Sequence, residues 1–294
     1  MPFWVGYALV GAAAFFLGLN SIIVKMVYNF NISPKELLMA QYLIAVSLFW
    51  VLALIKRGTA AFPKGLLLHL FFLGALNCVT TLLFYYALEH LEAGLATMLL
   101  FTFPAYVVLL AALIFRERIG PMQVITLGAA LGGSLLTLDI LNIKHAEWSL
   151  GGILWALGAA LGCAVNNLYS QHLLKGASPL TLSLYVTTFS ALVLMLFQNP
   201  LDLVLLMQNP QVLKFVFAAA VAASFLPPFL LYAGINLIGA SKASIVSTVE
   251  LPFAVVMAHI FLGENISLMQ GAGAALIFIG TLLLQINDFN HQRH

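Results

Sequence analysis

The feature that most constrains this chain is a rhythm. Apolar stretches of about twenty residues, separated by short polar breaks, recur ten times. They fall at approximately 3–24, 36–55, 66–87, 94–115, 120–140, 149–170, 179–198, 212–236, 243–262 and 267–286. A helix rises about 1.5 Å per residue, so roughly 20 apolar residues cross the ~30 Å hydrocarbon core of a bilayer. The stretches stay apolar at every position instead of alternating, which argues for helices over a β-barrel. Breaks such as Arg116-Glu117-Arg118 and Gly263-Glu264-Asn265 leave no room for a soluble domain. The first stretch starts almost at Met1 without a basic leader or cleavage site, so it is expected to be a retained helix and not a signal peptide.

Composition agrees. Of 294 residues, 63% are hydrophobic and 7% charged, with a mean hydropathy of +1.05; soluble domains carry about 25% charged residues. Too few charges remain to clothe a soluble enzyme, a nucleic-acid binder or a disordered chain. A net charge of +2 gives no reason to expect an acidic partner or nucleic acid. Cys78 and Cys163 both lie inside apolar stretches, away from metal-ligand neighbours. No Gly-x4-Gly-Lys-Ser/Thr motif occurs, and no metal or cofactor is expected. The expected partners are the bilayer and a small solute.

Orientation follows from Lys and Arg. With the N-terminus inside, the inner segments hold Lys56, Arg57, Lys64, Arg116, Arg118, Lys175, Lys242 and Arg293, and the outer ones hold Lys25, Lys35, Lys144 and Lys214. The bias of eight to four places both termini in the cytoplasm.

The two halves resemble each other. Tyr85 matches Tyr232, Ala93 matches Ala240, Ala96 matches Ala243 and Glu117 matches Glu264, all at an offset of 147. Pro104 and Pro252 match with a one-residue slip, and Ser33-Pro34 matches Ser178-Pro179 at an offset of 145. Five spans per half, an odd number, predict two repeats of opposite orientation, residues 1–145 and 146–294. Such halves can exchange conformations and expose a central site first to one side and then to the other.

These segments resemble the drug/metabolite transporter superfamily, specifically the EamA-type bacterial permeases. The resemblance rests on A-x-x-A at Ala93–Ala96 and Ala240–Ala243, the Pro104 and Pro252 regions, and the endings Ile114-Phe115-Arg116-Glu117 and Phe261-Leu262-Gly263-Glu264. It implies ten transmembrane helices in two inverted five-helix repeats, in a plasma (cell inner) membrane. It also implies export of amino acids or other small metabolites, often driven by protons. The site is then expected between the halves, lined by spans one, three, four, six, eight and nine. Many members carry an Arg in the second helix; the comparable residue here is Gln41.

A charge within the bilayer is costly and calls for a partner or a task. Glu250 lies eight residues into the ninth span, two before Pro252. Proline supplies no N–H, so the Thr248 carbonyl is expected to need water, a side chain or a ligand. Ser244, Ser247, Thr248 and Glu250 form a polar stretch beside this turn. Glu250 then either faces a wet cavity, where it binds a proton or a substrate amine, or serves as a neutral, hydrogen-bonded brace between helices. The corresponding place in the first half, Thr102 or Phe103 beside Pro104, has no acid.

Lys25 follows Asn20 and Ser21 near the outer end of span one, where it either snorkels to the surface or contacts substrate as a gate. Asn166, Asn167, Tyr169 and Gln171 occupy the matching stretch of the second half. In span three, Asn77, Thr81 and Tyr85 share one helical stripe, as Ser224, Pro228 and Tyr232 do in span eight. The Pro227-Pro228 pair is expected to kink that helix and turn carbonyls inward. Tyr85 and Tyr232 fit either a cavity wall or an interfacial belt. His259, deep in its apolar run, is expected mainly to bond across helices. Glu117 and Glu264 are expected to serve the starts of the following helices. Small-residue stripes at Gly11–Ala14, Gly128–Gly133, Gly158–Gly162 and Gly271–Gly273 suit close helix packing.

The sequence therefore points to a secondary transporter of small organic metabolites such as amino acids or amine-bearing compounds, working by alternating access with proton coupling. The alternatives are an exchanger of phosphorylated or nucleotide sugars, which would want Lys or Arg in its cavity, and a non-transporting membrane enzyme or assembly protein.

Overall fold

The computed structural model describes residues 3–28, 30, 32–56, 65–138, 149–198 and 210–291, and among these the regular structure is entirely helical. The first six helices are α1 (Phe3–Tyr28), α2 (Pro34–Ile55), α3 (Leu67–His90), α4 (Ala93–Leu100), α5 (Phe103–Phe115) and α6 (Pro121–Thr137). Then come α7 (Leu150–Leu173), α8 (Pro179–Leu194), α9 (Pro210–Ala219), a π-helical turn (Ala220–Phe225) and α10 (Leu226–Ile238). The last three are α11 (Ala240–Ser247), α12 (Glu250–Leu262) and α13 (Leu268–His291). Eight stretches are long and apolar enough to cross a membrane, and the apolar helices α6 and α8 are shorter. Several charges used for orientation (Arg57, Lys64, Lys144 and Arg293) lie outside the described residues.

Local chemistry sets the helix starts. Ser33 caps α2 in a capping box with Glu36, and Pro34 begins the helix. Ser178 and Pro179 repeat that arrangement at α8, where the Ser178 hydroxyl accepts from Thr181 N–H. Ser149 caps α7 through Gly152 N–H, and Ser267 and Gln270 exchange side-chain to backbone bonds ahead of α13.

Two of the expected continuous spans are each broken in two. Phe101-Thr102 separates α4 from α5, and Thr248-Val249 separates α11 from α12. Each break precedes a proline, which removes a donor and crowds the turn before it. The backbone tightens to compensate: Ala105 N–H donates to the Thr102 carbonyl at 3.0 Å and Leu251 N–H to the Thr248 carbonyl at 3.1 Å. The expectation that Thr248 leaves its carbonyl for water or ligand is thereby corrected. A shorter-range bond within the chain satisfies it.

The halves of the sequence interleave. α1 packs on α10 and α12, α3 on α7 and α8, and α6 on α13. Glycine permits the closest crossings. A Cβ on Gly273 would lie 2.5 Å from Thr137 N and 2.6 Å from the Gly133 carbonyl, and one on Gly74 would lie 2.6 Å from Phe189 Cβ.

Candidate functional site

Both ends of the described chain lie on one face of the bundle, here the terminal face; α1 carries Lys25 to the opposite, distal face. A cavity of about 600 Å³ occupies the centre. Leu88, Ala93 and Val24 line it where α3, α4 and α1 meet the distal face, and Asn77 and Tyr232 line it further in.

Both four-residue ladders read from the sequence are on its wall: Asn77, Thr81 and Tyr85 from α3, and Ser224, Pro228 and Tyr232 from the π-turn and α10. Asn20 and Ser21 of α1 join them. Asn77 is fixed by its own amide, which donates to Tyr42 Oη at 3.1 Å and Ser190 Oγ at 3.2 Å. Ser190 in turn donates to the Gly74 carbonyl at 2.9 Å. Thr81 Oγ1 donates to the Asn77 carbonyl at 3.0 Å. Asn20 Oδ1 is buried and has no hydrogen-bond partner among the described residues.

Sequence reasoning did not select Gln41, Tyr42, Thr97 and Thr187 as site residues, yet all four line the cavity. Gln41-Tyr42 was a findable signal: an adjacent amide and phenol inside an apolar span, both buried in the fold. Thr97 and Thr187 carry no such mark, because a threonine in an apolar helix normally bonds its own backbone.

Glu250 opens α12 and is not among the lining residues. It lies within electrostatic range of Cys163 on α7. Gly18 of α1 packs against its backbone, where an added Cβ would be 3.1 Å from the Glu250 carbonyl. No hydrogen bond or ion pair to its carboxyl occurs among the described residues. Ser247 and Thr248 turn away into their own helix, donating to the Ser244 and Ile245 carbonyls at 2.9 and 2.7 Å. Pro104 and Pro252 are buried just past the two helix breaks.

Asn166 stands off the wall, its carbonyl accepting from Ser170 Oγ at 2.6 Å. Its buried Nδ2 has no partner among the described residues. Tyr169 is also off the wall, its hydroxyl 2.6 Å from His69 Nδ1. His259 is exposed, and its Nδ1 lies 2.7 Å from the Glu264 carbonyl. This corrects the expectation of a deep, cross-helix histidine. Only three residues separate it from the end of α12, so its ring reaches the helix end instead.

The two loop glutamates also differ from expectation. Neither serves the next helix start, because Gly120 and Ser267 occupy those positions. Arg116 (φ 53°) and Gly263 (φ 69°) end the preceding helices in the left-handed conformation, which turns Glu117 towards α7 and α11 and Glu264 towards Lys25 of α1. At the terminal face, Glu117 accepts from Gln171 Nε2 at 3.2 Å and Ser241 Oγ at 2.8 Å, while Gln171 Oε1 accepts from Ala240 N–H. Beside it, Asp288 pairs with Lys242 and accepts from Tyr7 Oη at 2.7 Å. At the distal face, Lys25 pairs with Glu264 at 2.8 Å, each about half exposed. The Glu117 cluster thus lies on the terminal side, and two ion pairs, Lys25–Glu264 and Lys35–Glu89 at 3.5 Å, lie on the distal side.

Known proteins bear on this arrangement. The EamA-like transporter family model matches twice, over residues 4–139 and 150–286. The uncharacterized transporter YcbK of Bacillus subtilis is 25% identical over 287 residues, covering 92% of this chain and 89% of its own. The uncharacterized inner membrane transporter YicL of Salmonella typhimurium is 25% identical over 221 residues, covering 75% and 72%. One crystal structure of a protein matches in fold, with a TM-score of 0.79 at 15% identity and 96% of each chain covered.

Proposed function

This chain belongs to the EamA-like transporter family, and from that premise we propose that it is a secondary transporter exporting small organic metabolites by alternating access, coupled to proton entry. Amino acids or other amine-bearing compounds are the proposed class. In this reading the fold is ten transmembrane helices in two inverted five-helix repeats, 1–145 and 146–294. The terminal face is cytoplasmic and the membrane is the plasma membrane.

The observation that carries the proposal is the cavity lined by mixed polar and apolar side chains, with the Glu117–Gln171–Ser241 hydrogen bonds on the terminal side read as its seal. A solute held against Asn20, Asn77 and Ser224 leaves on one side; breaking the Glu117–Gln171–Ser241 seal readmits the other. Glu250, which does not line the wall, carries the proton, and recognition of the solute falls to the wall. Phosphorylated solutes suit it poorly, because no Lys or Arg lines the cavity among the described residues.

Counterflow in proteoliposomes across a metabolite panel at several pH values tests this. The parent protein is expected to exchange at least one small organic solute with a rate that depends on pH. Glu250→Gln should flatten that dependence; uptake that keeps the parent's pH profile removes Glu250 from the mechanism.

A further inference from the structure

The cavity wall has a chemical bias that its residue types alone do not reveal. Leu226 N–H bonds to the Val221 carbonyl in the wide register of the π-turn. The next two residues are Pro227 and Pro228, which bring no N–H at all. The carbonyls four residues back, at Ala223 and Ser224, therefore lose their α-helical donors, and both residues line the cavity. Asn20 lines it too, on α1, which packs along the π-turn. Its buried Oδ1 is an acceptor with no hydrogen-bond partner among the described residues. One orphaned amide oxygen and two residues whose carbonyls lack their α-helical donors thus border one cavity, and Asp, Glu, Lys, Arg and His are absent from its wall among the described residues.

We infer that the proline break and Asn20 form a donor-recognition subsite, selecting a solute with at least two N–H or O–H donors on one group or on adjacent hydroxyls and no net charge. The inference rests on reading the cavity as the transport site, and it narrows the proposed class to solutes without net charge, leaving out free amine cations. The physical case has two parts. Buried acceptors left without donors are costly, so a ligand group that supplies the donors gains more than it would in water. A solute with a net charge would sit in a walled cavity with no counter-charge, and an unpaired ion there pays its desolvation unrelieved. A zwitterion brings its own counter-charge, and a primary amide or polyol brings none to balance. All three present closely spaced donors; a simple amine cation or a carboxylate anion fails on charge.

One carbon skeleton in four charge states tests this directly. Leucine, N-acetylleucinamide, leucinamide and N-acetylleucine are zwitterionic, uncharged, cationic and anionic; a hexose adds an uncharged polyol. Thermal stabilisation of the detergent-purified protein is measured with each. Leucine, N-acetylleucinamide or the hexose is expected to stabilise it, and the cation and anion are not. In Pro228→Ala the new N–H can serve the Ser224 carbonyl, and affinity for the stabilising probe should fall about tenfold, the scale of one well-placed hydrogen bond. Asn20→Asp should admit leucinamide. Stabilisation by leucinamide or N-acetylleucine equal to that by the uncharged probes overturns the inference, as does no stabilisation by any of the five. An affinity within twofold of the parent in a folded Pro228→Ala also overturns it. Counterflow of some other solute would in those cases leave the transporter reading standing, so the two failures are distinguishable.

Discussion

At the scale of single residues, side chains of like type have separate fates because their surroundings differ. Asn20 and Asn166 occupy matching stretches, yet Asn20 borders the cavity and Asn166 does not. Glu117 and Glu264 are each redirected by the residue just before them, one of which is not glycine. Arg116 at φ 53° carries a penalty that Gly263 avoids. Arg116→Gly is expected to leave the Glu117 contacts intact and to raise unfolding free energy by up to about 1 kcal/mol, since the side-chain clash is removed at some entropic cost. The unfolding temperature in detergent reads this out, and a decrease would show that the guanidinium itself holds the turn. The polar residues of the cavity were legible where their spacing made a stripe, as for Asn77, Thr81 and Tyr85. Glu250 was legible as an anomaly but not in its placement: a one-dimensional pattern gives depth along a helix, whereas wall or second layer depends on how α1 and α7 pack.

At the scale of helices, membrane segments gain little from apolar burial against one another, so close backbone approach carries more of the stability. The glycine stripes split accordingly. Gly133 and Gly273 meet across α6 and α13, whereas Gly271 and Gly128 face open space. Gly273→Leu is expected to destabilise by about 1–3 kcal/mol or more, as overpacked sites do, while Gly271→Leu should be near neutral. The difference in unfolding temperature between the two variants decides the matter. Sequence identified the stripes but not their contacting members, because only the crossing angle selects which glycine is at the touch point. The helix breaks were legible only in part. Pro104 and Pro252 announced distortion, but the tightened turn that satisfies Thr248 follows from backbone geometry alone.

At the scale of the whole molecule, the terminal-face seal joins parts remote in sequence: the loop after α5, α7 and the start of α11. Glu117→Ala removes its common acceptor. With Cys78 and Cys163 replaced by alanine, a Val186→Cys reporter on the cavity wall should be shielded from an impermeant thiol reagent applied at the terminal face. Adding Glu117→Ala is expected to raise that labelling severalfold; unchanged labelling would mean that packing alone closes this side. The helical class was readable from length and periodicity. The seal was not, since Gln171 and Ser241 look like ordinary polar residues until the loop glutamate folds onto them.

The clasp at Asp288 has a consequence for how the protein is made. That carboxylate belongs to α13, yet it holds Tyr7 of α1 and Lys242 near the start of α11. A growing chain can therefore insert most of its segments while this side is still unfastened. Until α13 is in place Tyr7 and Lys242 lack their common partner, so this side of the bundle is fastened only after that helix has inserted.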